Sequence, residues 1–201
     1  MKKILVLIIG ILCSYNAISQ PAITYNNRGV NKFATGDYKG ALLDYNRAIE
    51  LNPKEAAAYY NRAITKESLK DLRGALLDYN KAIELNPNDS QSYINRAVTK
   101  SALQDYRGVI LDCNQAIKLN PKIGEAYRTR GWAKINLKDL RGALLDYNRA
   151  IELNPKDALA YYNRAFAKAN LGIINEACLD WSKAGEMGIW GAYDDIKKYC
   201  N

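Results

Sequence analysis

The chain has 201 residues, of which 48% are hydrophobic and 25% charged, a composition typical of one soluble domain. Its net charge of +8 favours acidic partners or anionic surfaces. It contains no histidine and no Cys-x-x-Cys, which excludes histidine-dependent catalysis, zinc ribbons and thioredoxin-like pairs, so we expect no enzymatic activity, no cofactor and no metal.

The amino-terminal segment has the three-part layout of a secretory signal peptide. Lys2 and Lys3 give a positive start, an apolar run follows, and a polar stretch ends in small residues at Ser19. We predict that residues 1–19 are removed, which leaves a net charge of +6 and a periplasmic or secreted bacterial protein. The apolar run is far shorter than the roughly 20 residues that span a bilayer. A retained anchor and lipidation at Cys13 are therefore the weaker alternatives, and export argues against nucleic acid as a partner.

The mature part is built from an internal repeat of 34 residues. The tripeptide Leu-Asn-Pro recurs four times at this spacing, with its proline at Pro53, Pro87, Pro121 and Pro155. Within each unit, apolar or small residues recur every three to four residues, which indicates two amphipathic helices. The proline ends the second helix, because it lacks a donor and keeps the preceding residue out of the helical region. The five predicted units cover 22–55, 56–89, 90–123, 124–157 and 158–191.

This period and punctuation resemble the tetratricopeptide repeat, a helix-turn-helix unit. The resemblance implies an all-α fold, a right-handed alpha-alpha superhelical solenoid over residues 20–191, in which neighbouring repeats bury each other's apolar faces. The fifth unit ends in a glycine-rich connector instead of Leu-Asn-Pro. Apolar residues at helical spacing follow, namely Ile189, Tyr193, Ile196 and Cys200. They predict a helix over 192–201 that caps the open end of the stack.

Every unit carries arginine where the family has leucine, and aspartate sixteen residues later. The arginines are Arg28, Arg62, Arg96, Arg130 and Arg164, and the aspartates are Asp44, Asp78, Asp112, Asp146 and Asp180. Two antiparallel helices joined by a short turn would bring these positions opposite each other. We therefore predict five structural ion pairs, and disfavour a row of arginines that binds phosphate or carboxylate groups, because both charges recur together.

Three cysteines remain after the predicted cleavage. Cys178 takes a position that is aliphatic in the other units and should pack on the capping helix, which carries Cys200. In an oxidising compartment this favours a Cys178–Cys200 disulfide, with two packed free thiols as the alternative. Cys113 replaces an aromatic residue of the other units and is predicted to be buried and unpaired.

In this family the first helix of each unit lines a concave groove. The resemblance places the following candidates there: Asn26, Asn27, Tyr60, Asn61, Ile94, Asn95, Arg128, Trp132, Tyr162, Asn163 and Phe166. Asparagine amides both donate and accept, so they can hold a peptide backbone, and the aromatic and aliphatic residues would be anchors. It remains open whether each asparagine instead bonds to a neighbouring helix, and whether Trp132 and Phe166 belong to the core.

We therefore expect an exported adaptor or scaffold that binds a peptide or helix of another protein in this groove. One alternative is a structural component of the cell envelope that uses the convex face. A second alternative, a binder of acidic envelope glycans, depends only on the net charge.

Overall fold

The computed structural model describes residues 21–200, and all regular secondary structure in this range is α-helical. The predicted signal peptide lies outside the described residues. The helices are α1 (21–34), α2 (Tyr38–Leu51), α3 (Ala56–Ser68), α4 (Leu72–Leu85), α5 (Ser90–Ala102), α6 (Tyr106–Leu119), α7 (Gly124–Asn136), α8 (Leu140–Leu153), α9 (Ala158–Asn170), α10 (Ile174–Glu186) and α11 (Gly191–Tyr199). The predicted all-α class is confirmed. None of these helices is both long enough and apolar enough to cross a membrane.

Contacts divide the chain into an amino-terminal unit that ends at Asn88 and a carboxyl-terminal unit that begins at Asp89. In the amino-terminal unit α3 packs on α2 and α4. In the carboxyl-terminal unit each helix from α5 to α11 packs on the next. Each unit therefore has small core clusters between neighbouring helices, as expected of stacked repeats.

Four of the second helices share one start signal. An aspartate caps the helix by accepting a hydrogen bond from the backbone nitrogen of a glycine three residues later, and the capping residues are Asp37, Asp71, Asp105 and Asp139. A Cβ atom on that glycine would lie only 2.0–2.1 Å from a carboxylate oxygen. A larger residue at this position would therefore displace the capping carboxylate.

The same four helices also share one stop signal. They end at the leucine of Leu-Asn-Pro, and the asparagine leaves the helical region of backbone conformation. This is the effect that a following proline has on the residue before it. The pattern of repeated prolines therefore fixes the helix ends as expected.

The carboxyl-terminal helix α11 packs against α10, so the predicted final helix is confirmed. Ile189, Ile196 and Cys200 contact the core cluster around Trp181, and the Tyr199 ring stacks on Trp181 with centroids 5.4 Å apart. A disulfide joins Cys178 to Cys200, as predicted. These contacts cover the end of the fifth repeat with aromatic and aliphatic side chains.

The remaining cysteine, Cys113, is a free and buried thiol. It packs with Ala97 and Val109, and burial raises the pKa of its thiol to about 12. The thiol is therefore neutral at physiological pH and behaves as a small apolar core residue, in agreement with its predicted role.

One buried aromatic position differs between repeats in how its polar atom is satisfied. Tyr79 donates from its hydroxyl to Glu67 Oε2 at 2.8 Å. Tyr147 occupies the same repeat position and is fully buried, but Ile135 stands where the earlier repeat has Glu67. The Tyr147 hydroxyl has no hydrogen-bond partner among residues 21–200. Its burial is therefore uncompensated by a hydrogen bond.

We expect opposite effects when the two hydroxyls are removed. Tyr79→Phe should lower the free energy of unfolding by about 1 kcal/mol, because it removes a hydrogen bond to a carboxylate. Tyr147→Phe should be neutral or stabilising by up to about 1 kcal/mol, because it removes an unpaired buried group. Urea unfolding followed by circular dichroism measures both, and equal losses in the two variants would contradict the expectation.

Candidate functional site

An arginine and an aspartate sixteen residues apart are hydrogen-bonded in every repeat. The pairs are Arg28–Asp44, Arg62–Asp78, Arg96–Asp112, Arg130–Asp146 and Arg164–Asp180. In the second pair, Arg62 Nε and Nη2 donate to the two carboxylate oxygens of Asp78 at 2.8 and 2.6 Å. This is the bidentate geometry that suits a guanidinium and a carboxylate best.

Each buried carboxylate also contacts a second cation, which the sequence analysis missed. Lys66 Nζ lies 2.7 Å from Asp78 Oδ2, and Lys134 Nζ lies at the same distance from Asp146 Oδ2. The other lysines of this kind are Lys32, Lys100 and Lys168. A lysine four residues after each arginine is visible in the repeat, so the period could have revealed it.

The arginines make two further contacts. Each guanidinium lies over the ring of the tyrosine three residues earlier, at 4.7–5.5 Å from its centroid. In the carboxyl-terminal unit, Arg130 Nη1 donates to Asn114 Oδ1 of the preceding repeat at 2.6 Å, and Arg164 bonds to Asn148 at 2.8 Å. The donors of these guanidinium groups are thus largely used inside the protein, which leaves few of them for a ligand.

The pKa values of the paired residues are shifted in the directions that stabilise the Arg–Asp ion pairs. The hydrogen bond from Arg28 lowers the pKa of Asp44, although burial acts in the opposite direction. The hydrogen bond to Asp146 raises the pKa of Arg130. Both shifts favour the charged partners at neutral pH.

In the amino-terminal unit, two of the groove candidates bond to each other. Asn61 Nδ2 donates to Asn26 Oδ1 at 3.1 Å, which links α3 to α1. Tyr60 is half-buried, with its ring 6.0 Å from that of Tyr79, and Asn27 is exposed. The alternative in which an asparagine bonds to a neighbouring helix therefore describes Asn26 and Asn61.

The prediction that Ile94 lines a groove is wrong. Its side chain is fully buried and packs with Ala116 and Ala126. A branched aliphatic side chain remains inside the helix interface, whereas the longer Arg128 at the equivalent position is only half-buried. The neighbouring Asn95 accepts a hydrogen bond from Gln91 at 3.0 Å.

Most of the remaining candidates meet in the carboxyl-terminal unit, along α5, α7 and α9. A cleft of about 620 Å³ is lined by Val98, Ser101, Ala102, Gln104, Tyr106, Arg128, Thr129, Trp132 and Asn163. An adjoining cleft of about 380 Å³ is lined by Trp132, Ile135, Tyr162, Asn163, Phe166 and Asn170. Trp132 and Asn163 line both clefts. We call these two clefts together the Trp132 groove.

The Trp132 groove combines an exposed aromatic residue with polar groups. The Trp132 side chain is 41% exposed, so it does not belong to the core. The side-chain amide of Asn163 makes no hydrogen bond within the described residues. Arg128 also lines the groove and donates from Nε to Asp157 at 3.0 Å. Glu125 lies 3.8 Å from the same guanidinium, so the groove offers an aromatic surface, a free amide and an ion-paired arginine.

Phe166 and Tyr162 belong both to the core and to the groove. The Phe166 ring lies edge-on to Tyr162 at 5.0 Å and to Trp181 at 5.5 Å. The Tyr162 hydroxyl donates to Asp195 Oδ2 at 2.9 Å, and burial, followed by this hydrogen bond, raises the pKa of Tyr162 to about 12. The capping helix therefore holds one wall of the groove, a link that no single repeat could predict.

The chain is first of all an α-helical repeat protein, by its helix pairs and by the solved structures that it resembles. MamA has a TM-score of 0.76 at 20% identity, over 90% of this chain and 96% of that chain. YrrB, described as a TPR protein with an unusual peptide-binding site, has a TM-score of 0.74 at 22% identity, over 88% and 92%. PilF of Pseudomonas aeruginosa has a TM-score of 0.77 at 16% identity, over 86% and 78%. At these identities the similarity shows the fold, which is the all-α TPR superhelix.

Sequence models identify the family. Models described as tetratricopeptide repeat match 56–89 and 78–108, and a model described as TPR repeat matches 31–69 and 131–172. No curated protein matches the chain significantly. The chain belongs to the tetratricopeptide-repeat family, whose repeats are scaffolds for contacts between proteins.

Proposed function

We propose that this protein is an adaptor that binds an extended peptide or a helix of another protein in the Trp132 groove. The observation that carries the proposal is the exposed Trp132 ring, which stands between two adjoining clefts beside the free amide of Asn163. Large aromatic residues at the centre of a concave surface are the usual anchors of protein interfaces. YrrB, with the same fold, is described as having a peptide-binding site, which supports the same class of ligand.

Each side of the groove has a distinct part in this proposal. An apolar side chain of the peptide packs on Trp132 and Phe166, and the Asn163 amide donates to and accepts from the peptide backbone. Arg128 lines the larger cleft, where guanidinium donors that Asp157 does not use can bond to an acceptor of the peptide. Asp157 holds the guanidinium in place, so little entropy is lost when the peptide binds.

The Arg–Asp pairs have a structural role in this proposal, because each guanidinium bonds to a buried carboxylate and stacks on a tyrosine. We assign the protein to an exported compartment on two grounds, the amino-terminal sequence of residues 1–19 and the Cys178–Cys200 disulfide. Amino-terminal sequencing of exported protein should begin at Gln20, and an intact Met1 would refute the assignment.

We expect Trp132→Ala to weaken partner binding by about 30-fold, the effect of losing one central anchor. The matched control is Trp190→Ala, because Trp190 is 78% exposed and does not line the groove. The wild type and both variants serve as baits in cell-envelope extract, and affinities for the captured protein are then measured by calorimetry. Equal affinity of the two variants would place the binding site outside the groove.

A further inference from the structure

The second helices carry a repeated leucine that points into solvent. One stands at the same position of each repeat, and its exposed fraction is 68–72% in all five. In the amino-terminal unit these are Leu43 and Leu77, and in the carboxyl-terminal unit Leu111, Leu145 and Leu179. Isolated exposed leucines are common, but the same exposed residue in every repeat forms an apolar row on one face of each unit. Even α10, the most divergent second helix, retains its leucine.

Basic residues lie one helical turn before these leucines in the first four repeats. They are Lys39, Arg73, Arg107 and Arg141, all exposed and without an ion pair or hydrogen bond among the described residues. One turn after the leucine, Arg47, Lys81, Arg149 and Lys183 follow, each paired with a glutamate three residues on. Each leucine of the first four repeats thus has an unpaired cation on one side, and the nearby glutamates are already neutralised.

This charge pattern disfavours a second copy of the chain as the natural occupant. If two copies packed leucine on leucine in antiparallel orientation, Arg141 would face Arg149 of the other copy, which Glu152 already neutralises, so the contact would gain no attraction. In parallel orientation, Arg141 would face Arg141. Unpaired like charges would meet in the parallel case, at a cost in binding.

We call the five exposed leucines and the basic residues that flank them the leucine face. We propose that the leucine face binds the surface of an anionic phospholipid membrane. The leucines enter the acyl-chain boundary, while the flanking arginines and lysines stay at headgroup level and bind phosphate groups. A bilayer is apolar and negatively charged everywhere, so it suits a surface that is identical from repeat to repeat. The groove positions, in contrast, differ between repeats, as Tyr60, Ile94 and Arg128 show. The protein would therefore attach to the membrane peripherally by its second helices.

The leucine face and the Trp132 groove use different helices. The groove is lined chiefly by α5, α7 and α9, whereas the leucines lie on second helices such as α6, α8 and α10. Membrane attachment therefore goes beyond the proposed peptide binding and can fail without affecting it. A protein bound in this way could hold its groove ligand at the membrane surface.

The test is co-sedimentation of the full chain with vesicles. One vesicle population contains equal parts of phosphatidylglycerol and phosphatidylcholine, and the other contains phosphatidylcholine alone. The wild type is compared with the triple variant Leu111→Ser, Leu145→Ser and Leu179→Ser. The control variant carries Leu103→Ser, Leu137→Ser and Leu159→Ser, which change leucines away from the second helices. All proteins share the same amino-terminal segment, so its contribution cancels, and melting temperatures verify the fold.

We expect the wild type and the control to bind the anionic vesicles and not the phosphatidylcholine vesicles. The affinity of the triple variant for the anionic vesicles should be lower by a factor of about ten or more. Arg107→Gln with Arg141→Gln should also weaken binding, by about fivefold for each residue, and salt should weaken it further. Equal binding of the triple variant, or no binding of the wild type to anionic vesicles, would overturn the proposal. If the wild type does not bind vesicles, either of two results would identify a different occupant of the leucine face. One is a dimer that the triple variant dissociates, and the other is a protein that cross-links to a photoreactive residue in place of Leu145.

Discussion

Asp146→Ala is expected to lower the free energy of unfolding by about 3–5 kcal/mol, the usual result of removing one member of a buried ion pair. The carboxylate is buried and neutralises two cations, Arg130 at 2.5 Å and Lys134 at 2.7 Å. Its removal leaves both of them with little access to water and without a counter-charge. Chemical unfolding followed by circular dichroism and tryptophan fluorescence measures the loss, since Trp132 and Trp181 lie in the same unit.

Glu152→Ala is the matched control, because it also removes a carboxylate from an ion pair on α8. Glu152 and Arg149 are both exposed, with atoms 2.8 Å apart, and exposed pairs contribute only about 0–1 kcal/mol. Asp146→Ala should therefore cost several times as much as Glu152→Ala. Similar costs would mean that water screens the Asp146 pair and that the repeated charges have another purpose.

The same variants separate a structural role of the arginines from a ligand-binding role. If Arg130 served mainly to bind a ligand, removal of Asp146 would free its guanidinium and strengthen binding of an anionic ligand. In the structural role, stability falls and no anion affinity appears. The stacking on Tyr127 and the bond to Asn114 favour the structural role, because they use further faces and donors of the same guanidinium.

The fold could be read from the sequence, because its determinants are local and repeated. Each Leu-Asn-Pro ends a helix, each pair of helices is short, and small residues such as Ala63 and Ala75 mark where two helices pack. Because the repeat recurs every 34 residues, a local pattern that is weak in one repeat can be recognised from its recurrence in the others. The lysines of the ion network were missed because only the arginine and aspartate positions were compared between the repeats.

The residues that line the groove were harder to predict, because the burial of a residue depends on its side chain as well as on its position in the repeat. Ile94 and Arg128 occupy equivalent positions, yet one is core and the other reaches the surface. Tyr106 lines the groove although it begins a second helix, and Asp195 fixes Tyr162 from the capping helix. Such contacts join different repeats or helices, which a pattern within one repeat does not encode.

Replacing Cys178 and Cys200 together with alanine is expected to lower the free energy of unfolding by about 3 kcal/mol, from the loop-closure entropy of a bond across 22 residues. The loss should be concentrated in α11, which packs on α10 at the end of the fifth repeat. Hydrogen exchange of the α11 amides should accelerate more than that of α8, and Trp181 fluorescence should report the exposure of its ring.

Unfolding in the presence of a reducing agent, which breaks the Cys178–Cys200 disulfide, is the control for this prediction. The reducing agent should lower the free energy of unfolding of the wild type to that of the double alanine variant. It should not change the stability of that variant, since Cys113 is already a free thiol. If the wild type and the variant melt alike without reductant, the cap is held by packing alone, chiefly by Tyr199 on Trp181 and by Ile196. The cap also supports the groove through Tyr162 and Asp195, so loss of the disulfide should weaken peptide binding as well as stability.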